Sequence, residues 1–168
     1  MNFQQIAVTD LAINPFGAIG RDWMLVTAGD EQQANTMTAS WGGLGVLWGQ
    51  DVAFVFIRPQ RYTKQFMDAK GCFSLSFFDG YKQEMGVLGS VSGRDKDKIS
   101  EVGMHLTMID GVPAFEEAKL VLILDTLYTD EVKADKFLPA AQDMLKWYPD
   151  NDFHTVYVAR IRGAYVKC

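Results

Sequence analysis

Seven short apolar runs restrict the fold of this chain more than any other feature of its 168-residue sequence. Most of the runs end at glycine, proline or aspartate, and short strands spaced in this way are typical of an antiparallel barrel or sandwich. The runs, each a predicted strand, are residues 23–28, 35–41, 46–48, 52–57, 72–78, 120–127 and 154–166. The sequence therefore predicts a mainly β protein and not a regular alternation of strands and helices.

Three segments between the strands have helical patterns and are expected at the periphery of the sheet. Two short helices are predicted at residues 63–69 and 95–102, because each segment begins with a residue that can cap free backbone N–H groups. The longest pattern covers residues 134–148, where apolar residues recur at helical spacing. This apolar stripe consists of Phe137, Ala141, Met144, Leu145 and Tyr148.

Composition and charge exclude several classes of protein. A hydrophobic content of 48% and a mean hydropathy of -0.03 are typical of a globular protein, and the length is that of one domain, expected to span residues 1–168. The net charge of -5 argues against general nucleic-acid binding. No apolar stretch approaches the ~20 residues of a membrane-spanning helix. The N-terminal residues lack the pattern of a secretory signal, and the two cysteines form neither a disulfide framework nor a metal-binding pattern, so a cytoplasmic location is expected.

Two of the predicted strands are apolar without alternation. Residues 52–57 read VAFVFI and residues 120–124 read LVLIL, so both faces of each strand should be covered. A barrel interior covers one face. Either a second copy of the chain, in a homodimer, or the chain's own helices cover the other, and the pattern favours neither.

The stretch NTMTASWGGLGVLWG, residues 35–49, combines an amide, hydroxyls, indoles and glycines. Alternation along a strand would place Thr36, Thr38 and Ser40 on one face and Met37 on the other. Such a surface suits a flat heteroaromatic ligand with polar edges. An ordinary strand with one exposed polar face is the alternative, and the residues alone favour that alternative.

Two further segments bring cationic side chains to a turn before a predicted helix. In RPQRYTKQF, residues 58–66, Arg58 ends an apolar strand, and Arg61 and Thr63 lie at a helix start. Free N–H groups and guanidinium groups at such a start can bind phosphate, although ordinary surface charge explains the residues equally well. In SVSGRDKDKI, residues 90–99, a Ser/Gly turn also leads into a helix, and its aspartates fit a capped, solvated helix start.

No motif for a nucleophile, a metal-dependent hydrolase, a Walker loop or an EF-hand is present, so hydrolytic and metal-dependent functions are disfavoured. The glycines of WGGLGVLWG do not match the dinucleotide pattern GxGxxG. His105 is predicted on the exposed face of its strand. For His154, which begins the last strand, spacing alone favours a structural role.

Four segments taken together, NTMTASWGGLGVLWG, VAFVFIRPQRYT, GSVSGRDKDK and NDFHTVYVARI, resemble the successive motifs of the flavin reductase-like, FMN-binding split-barrel family, in particular its flavoredoxin-type members. Order, spacing and length all match, and the resemblance covers about residues 20–165. It implies a six-stranded antiparallel Greek-key split barrel with peripheral helices. It also implies a homodimer with FMN bound noncovalently at or near the subunit interface.

The resemblance assigns FMN-binding roles to eleven residues in three groups. They are Met37, Thr38, Ser40 and Trp41 at the isoalloxazine and ribityl groups, Arg58, Tyr62 and Thr63 at the phosphate end, and Ser90, Ser92, Gly93 and Arg94 at the second turn. His154 matches the family histidine near the flavin and is carried as the catalytic candidate. Two residues differ from the commoner pattern, since Phe153 precedes the histidine where aspartate is frequent and Ala159 replaces a frequent glycine.

The implied function is that of a flavin reductase or flavoredoxin-like electron carrier, which takes electrons from NAD(P)H or from a redox protein partner through the flavin. Two alternatives stay open. One is a flavin- or heme-binding split-barrel module without turnover, acting as a sensor or store. The other is a related oxidase of a small amine or pyridoxal-type substrate, although its relatives carry different phosphate-site motifs.

Overall fold

The computed structural model describes residues 3–168 and contains an eight-stranded antiparallel sheet and a separate two-stranded hairpin. In chain order the strands are β1 (Phe3–Ile6), β2 (Met24–Gly29), β3 (Ala34–Ala39), β4 (Gly42–Leu47), β5 (Gln50–Ile57), β6 (Cys72–Phe77), β7 (Leu106–Ile109), β8 (Val112–Phe115), β9 (Leu120–Glu131) and β10 (Thr155–Lys167). The mainly β, antiparallel class predicted from the sequence is confirmed.

The strand order in the large sheet is β3-β2-β6-β9-β10-β5-β4, and β1 pairs with β10 outside this path. β10 is the most connected strand, because it pairs with β1, β5 and β9 along its thirteen residues. β3 and β4 lie at opposite ends of the path, and only Ser40 and Trp41 separate them in the chain. These two residues therefore connect the first and last strands of the open sheet.

The structure has more strands than the implied six, and the additional strands are short. β1 contains Gln4 and Gln5 between two apolar residues, so it lacks an apolar run. β7 and β8 are joined by Asp110 and Gly111, which both have positive φ angles, of 48° and 75°. Asp-Gly between two apolar segments is a hairpin signal that the sequence does carry.

Two hydrophobic clusters on opposite faces of the sheet explain why residues 120–124 are apolar without alternation. Leu122 packs in the cluster that contains Val55 and Phe73, whereas Ile123 packs in a second cluster with Leu88 of a neighbouring helix and Phe115 of β8. The chain's own hairpin and helix thus cover the second face of β9. A second copy of the chain is not needed there.

Three α-helices are α1 (Tyr62–Lys70), α2 (Lys82–Ser90) and α3 (Lys98–Glu101). The predicted helix at residues 63–69 is confirmed as α1. The helix predicted at 95–102 is shorter, because Asp97 caps it and its side chain accepts a hydrogen bond from the Ser100 amide at 3.2 Å. α2 escaped prediction because Gly86 and Gly89 weaken its helical pattern.

The prediction of one α-helix at residues 134–148 is wrong. The segment forms two 3₁₀ helices, Ala134–Lys136 and Pro139–Trp147, with no buried residue in either. Its aromatic residues make only partial contacts, since Tyr148 stacks on Phe153 with ring centroids 4.6 Å apart and Trp147 meets Trp41 at 5.5 Å. The apolar stripe therefore buries no residue in a core, and propensity alone does not hold a long α-helix.

Candidate functional site

A cavity of about 250 Å³ lies where the end of β5, the start of α1, the turn after α2 and the helix α3 meet beside β3. Seven lining residues are among those to which the resemblance assigned FMN binding, namely Met37, Arg58, Tyr62, Thr63, Ser90, Ser92 and Gly93. The others are Asn35, Gln60, Arg61, Val91 and Lys98, of which Arg61 lies at the helix start that the sequence offers as a phosphate site. The two donor-rich turns of the sequence are thus brought together at one cavity.

We call the space lined by these twelve residues the anion cavity, because its charge is its most distinctive property. Arg58, Arg61 and Lys98 contribute cations, and none of the described lining residues is acidic. This local excess of positive charge occurs in a chain with a net charge of -5. Burial lowers the pKa of Arg61, and the neighbouring Arg58 lowers it further. An anion in the cavity would relieve this repulsion.

Lys98 is the least expected member of the cavity, because it is a lysine with only 4% of its surface exposed. Its ammonium group donates hydrogen bonds to the carbonyls of Leu88 at 2.6 Å and Val91 at 2.9 Å. A third N–H remains for a ligand, since an ammonium group has three. Burial lowers the pKa of Lys98 to about 8, and Arg61 contributes in the same direction.

The start of α1 supplies neutral donors to the same space. The first N–H groups of a helix have no intrahelical partner and attract anions, and α1 begins at Tyr62 in the cavity wall. Asn35 ties β3 to this helix, because its side-chain amide donates to the Thr63 hydroxyl at 2.8 Å. A Cβ atom on Gly93 would lie 2.0 Å from the Asn35 amide oxygen, so only glycine lets the 90–93 turn approach β3 this closely.

A second hollow, of about 240 Å³, adjoins the anion cavity and shares Arg61 and Ser90 with it. It holds Thr38 and Ser40, which are therefore separated from Met37 as the alternation of β3 predicts. The helix α2 approaches β3 closely here, since a Cβ atom on Gly89 would lie 3.0 Å from the Cβ atom of Thr38. We call this space the ring hollow; Thr38 and Ser40 form its polar part, and Gly86 and Gly89 of α2 form its glycine-rich part.

Met37, Trp41 and Arg94 lie less centrally than the resemblance implied. Met37 is 5% exposed and belongs mainly to the barrel core. Trp41 lines neither space, and its indole lies 5.2 Å from the His154 ring, measured between centroids. Arg94 lies outside the anion cavity, where its guanidinium group stacks over Tyr62 at 4.6 Å.

His154 is buried and lines neither the anion cavity nor the ring hollow. Its Nδ1 atom lies 2.9 Å from the Tyr148 hydroxyl. Burial, with a smaller contribution from the neighbouring Arg58, lowers the pKa of His154 to about 4, so the imidazole is neutral at pH 7. A role as a proton donor with an ordinary imidazole pKa does not fit this environment. The exposed His105, as predicted, lies at the surface and pairs with Glu117.

Arg58 connects the anion cavity with the residues around His154. Its guanidinium group pairs with Asp152 and donates to the Trp147 carbonyl at 2.8 Å. The same group lies 5.2 Å from the centroid of the Tyr148 ring. Sequence reasoning missed these contacts because their partners are about ninety residues away in the chain.

No helix in the described part of the chain is long and apolar enough to cross a membrane. Residues 3–168 also hold no group of three or more His, Cys, Asp or Glu side chains arranged to bind a metal ion.

Comparison with known proteins gives one family match and several structural matches. The model of the flavin reductase like domain family matches residues 16–167. An FMN-binding protein from Thermus thermophilus with bound p-hydroxybenzaldehyde is similar, at 25% identity over 86% of this chain and 71% of that one, with a TM-score of 0.64. No curated protein matches the chain significantly.

Two more solved structures share the fold at lower identity. An FMN-binding domain of a flavin reductases-like enzyme from Shewanella baltica OS155 is 17% identical, with a TM-score of 0.70 and coverage of 98% of this chain and 77% of that one. A flavoredoxin from Methanosarcina acetivorans is 20% identical, with a TM-score of 0.65 and coverage of 87% and 68%. The resemblance in the sequence motifs and the similarity in fold therefore agree.

Proposed function

The chain belongs to the flavin reductase-like domain family, and on that premise we propose that it is an oxidoreductase that binds FMN noncovalently. The observation that carries the proposal is the anion cavity, where Arg58, Arg61 and Lys98 meet without an acidic residue among the described lining. Guanidinium, ammonium and helix N-terminal N–H groups are the donors that bind phosphate in proteins. FMN ends in a phosphate group and supplies an anion of this kind.

The sizes of the two spaces support a divided binding mode. The anion cavity, at about 250 Å³, is below the ~300–1,000 Å³ of a typical pocket for a whole small molecule. It suits the phosphate end, with Lys98 and the start of α1 as donors. The isoalloxazine ring would then lie at the ring hollow, which Arg61 and Ser90 join to the cavity. Ser40 offers a hydroxyl group to the polar edge of such a ring, whereas the Thr38 hydroxyl already donates to the Met85 carbonyl and can only accept.

When bound, the flavin supplies the redox chemistry, because its ring accepts a hydride and passes electrons on. The protein's residues bind and orient that group. Arg58, Arg61 and Lys98 would hold the phosphate, and the Ser40 hydroxyl, just after β3, would stabilise negative charge at the edge of the ring. A neutral His154 offers a hydrogen bond and not a proton at pH 7, and it lies outside both spaces.

NAD(P)H or a redox protein is proposed as the electron donor, which makes the chain a flavin reductase or a flavoredoxin-like carrier. A single-domain homodimer is also proposed. Its support is a patch of exposed apolar residues at the β4–β5 turn and the end of β9, namely Val46, Trp48, Leu127 and Tyr128. Patches of this kind mark protein contacts. Sedimentation of the wild type and of Trp48→Lys tests the homodimer, because the charged variant should shift the population to monomer.

Titration with FMN and with riboflavin tests the proposal directly. FMN should bind with a flavin absorption spectrum, and riboflavin should bind at least tenfold more weakly because it lacks the phosphate. A protein that binds neither compound contradicts the proposal. Anaerobic mixing of the loaded protein with NADH and with NADPH then separates an enzyme from a binding module, because only an enzyme bleaches the flavin absorbance and oxidises the nicotinamide.

A further inference from the structure

Within residues 3–168 the imidazole ring of His154 has one hydrogen-bonding partner, the hydroxyl of Tyr148, at 2.9 Å from Nδ1. The imidazole is 5% exposed and lies beside Trp41, which belongs to the two-residue connection between β3 and β4. Because only Nδ1 is taken, Nε2 is the ring nitrogen left for a ligand. If Nε2 carries the hydrogen, it is a donor to such a ligand, and if Nδ1 carries it, Nε2 is an acceptor.

The chemistry of the two groups selects the direction of this hydrogen bond. At pH 7 both are neutral, since burial raises the pKa of the Tyr148 hydroxyl above its ordinary value and lowers that of His154. A phenol is the more acidic donor, and an imidazole nitrogen is the more basic acceptor. The hydroxyl therefore donates to Nδ1, and the imidazole carries its own hydrogen on Nε2.

Tyr148 is held in place by contacts that are independent of His154. Its ring stacks on Phe153 at an interplanar angle of 29°. The guanidinium group of Arg58 lies 5.2 Å from the ring centroid and donates a hydrogen bond to the preceding carbonyl, that of Trp147. Arg58 is itself anchored by Asp152. The hydroxyl is thus presented to His154 by a supported ring and not by a mobile side chain.

We propose that Tyr148 is a positioning residue, which fixes His154 in the tautomer with hydrogen on Nε2, so that any ligand that reaches this nitrogen meets a hydrogen-bond donor. The tautomer depends only on this chain's residues. The identity of the ligand, a flavin or the ring of its electron donor, rests on the proposed function. A ligand group that accepts a hydrogen bond is favoured beside Nε2, and one that only donates is disfavoured.

Nitrogen NMR of the histidine rings tests the tautomer directly, and the assignment is simple because the chain has two histidines. At pH 6–8 the wild-type His154 should show a protonated Nε2 and an unprotonated Nδ1. Tyr148→Phe keeps the ring but removes the donor, so the ratio of the two tautomers should change by about fivefold to tenfold, the factor that a net hydrogen bond corresponds to. Tyr128→Phe, which removes an exposed hydroxyl bonded to Asp130, should leave the ratio unchanged.

Two outcomes would overturn the inference: a wild-type His154 with hydrogen on Nδ1, or an unchanged ratio in a folded Tyr148→Phe protein. If that variant does not fold, as thermal melting would show, the wild-type spectrum decides alone. FMN titration of the same samples separates this inference from the proposed function. Failure of the wild type to bind FMN removes the proposed function but leaves the tautomer result standing.

Discussion

Replacing Lys98 by methionine is the sharpest test of the anion cavity, because the change removes a charge and nearly preserves the side-chain volume. Hydrogen bonds to charged groups contribute about 1.5–3 kcal/mol, so the variant should bind FMN about tenfold to a hundredfold more weakly than the wild type. Riboflavin lacks the phosphate and should lose little affinity. A loss for FMN alone would therefore locate the effect at the phosphate end.

The pH dependence of the same variant adds a second signature. Lys98 has a pKa of about 8 in the free folded protein, below its ordinary value of 10.5. Above pH 8 the ammonium group must regain a proton before it can hold the phosphate, so wild-type FMN affinity should fall by up to about tenfold per pH unit. The phosphate itself is fully ionised there, since its second pKa is about 6. Lys98→Met should show no such slope.

Stability in the absence of ligand should change with pH in the opposite direction. Between pH 8 and 10.5 the unfolded chain keeps the Lys98 proton while the folded protein loses it, so the free energy of unfolding rises with pH. Since one pKa unit corresponds to 1.36 kcal/mol, the rise is at most about 3 kcal/mol. The slope should be present in the wild type and absent in Lys98→Met.

Fluorescence titrations of both flavins from pH 7 to 9.5, together with urea denaturation, measure these quantities. Lys96→Met is the matched control, because Lys96 lies two residues away, is exposed and pairs with Glu101 at 3.0 Å. It should behave as the wild type. Equal losses in the two variants, or a pH slope that persists in Lys98→Met, would refute the assignment of Lys98 to the phosphate.

Three further predictions concern the surroundings of the site. Gly93→Ala should lower the free energy of unfolding by about 1–3 kcal/mol, because its Cβ would overlap Asn35. In contrast, Gly86→Ala, in a helix with no atom within 4 Å of the new Cβ, should raise it by about 0.5–1 kcal/mol. Urea denaturation measures both changes, and the same sign in the two variants would contradict one of these predictions. The NMR titration midpoint of His154 should lie below pH 5. The free energy of unfolding should fall as the pH drops from 6.5 towards 4, because in that range only the unfolded chain binds the proton. A midpoint near 6.5 would disprove the burial argument. Asp152→Asn should speed tryptic cleavage of the segment between β9 and β10 about fivefold or more, because the variant removes the ion pair that joins this segment to Arg58 in the cavity wall. An unchanged cleavage rate would show that the ion pair does not hold the segment in place.

Much of the fold could be predicted because the signals are local. The strands β2, β3, β5 and β6 and the helix α1 follow from apolar runs and punctuation, and none of these depends on a distant residue. β4 begins at Gly42, four residues before the predicted strand 46–48, and α1 starts without the expected side-chain cap. The approach of β3 to the turn at Gly93 could not be predicted from spacing. It required the family resemblance, since the two segments are separated by several elements.

The burial of Lys98 could not be predicted from the residues next to it in the sequence. Its surroundings, DKDK at a helix start, are those of a solvated surface, and the actual burial results from the carbonyls of Leu88 and Val91 folding over it. Arg58 is a similar case, because its principal partner is Asp152, far along the chain. The roles of both cations are set by tertiary contacts, which no pattern in a short window records.

β10 pairs with β5 and β9 along most of its length, yet it is the last of these strands to leave the ribosome. Until it emerges, the nascent chain exposes two apolar strands with unpaired edges, the kind of surface that associates with other chains. We expect the barrel to assemble in one step once β10 has emerged and not progressively before that. The strand that makes the native sheet most cohesive thus also prolongs the interval in which the unfinished chain depends on chaperones.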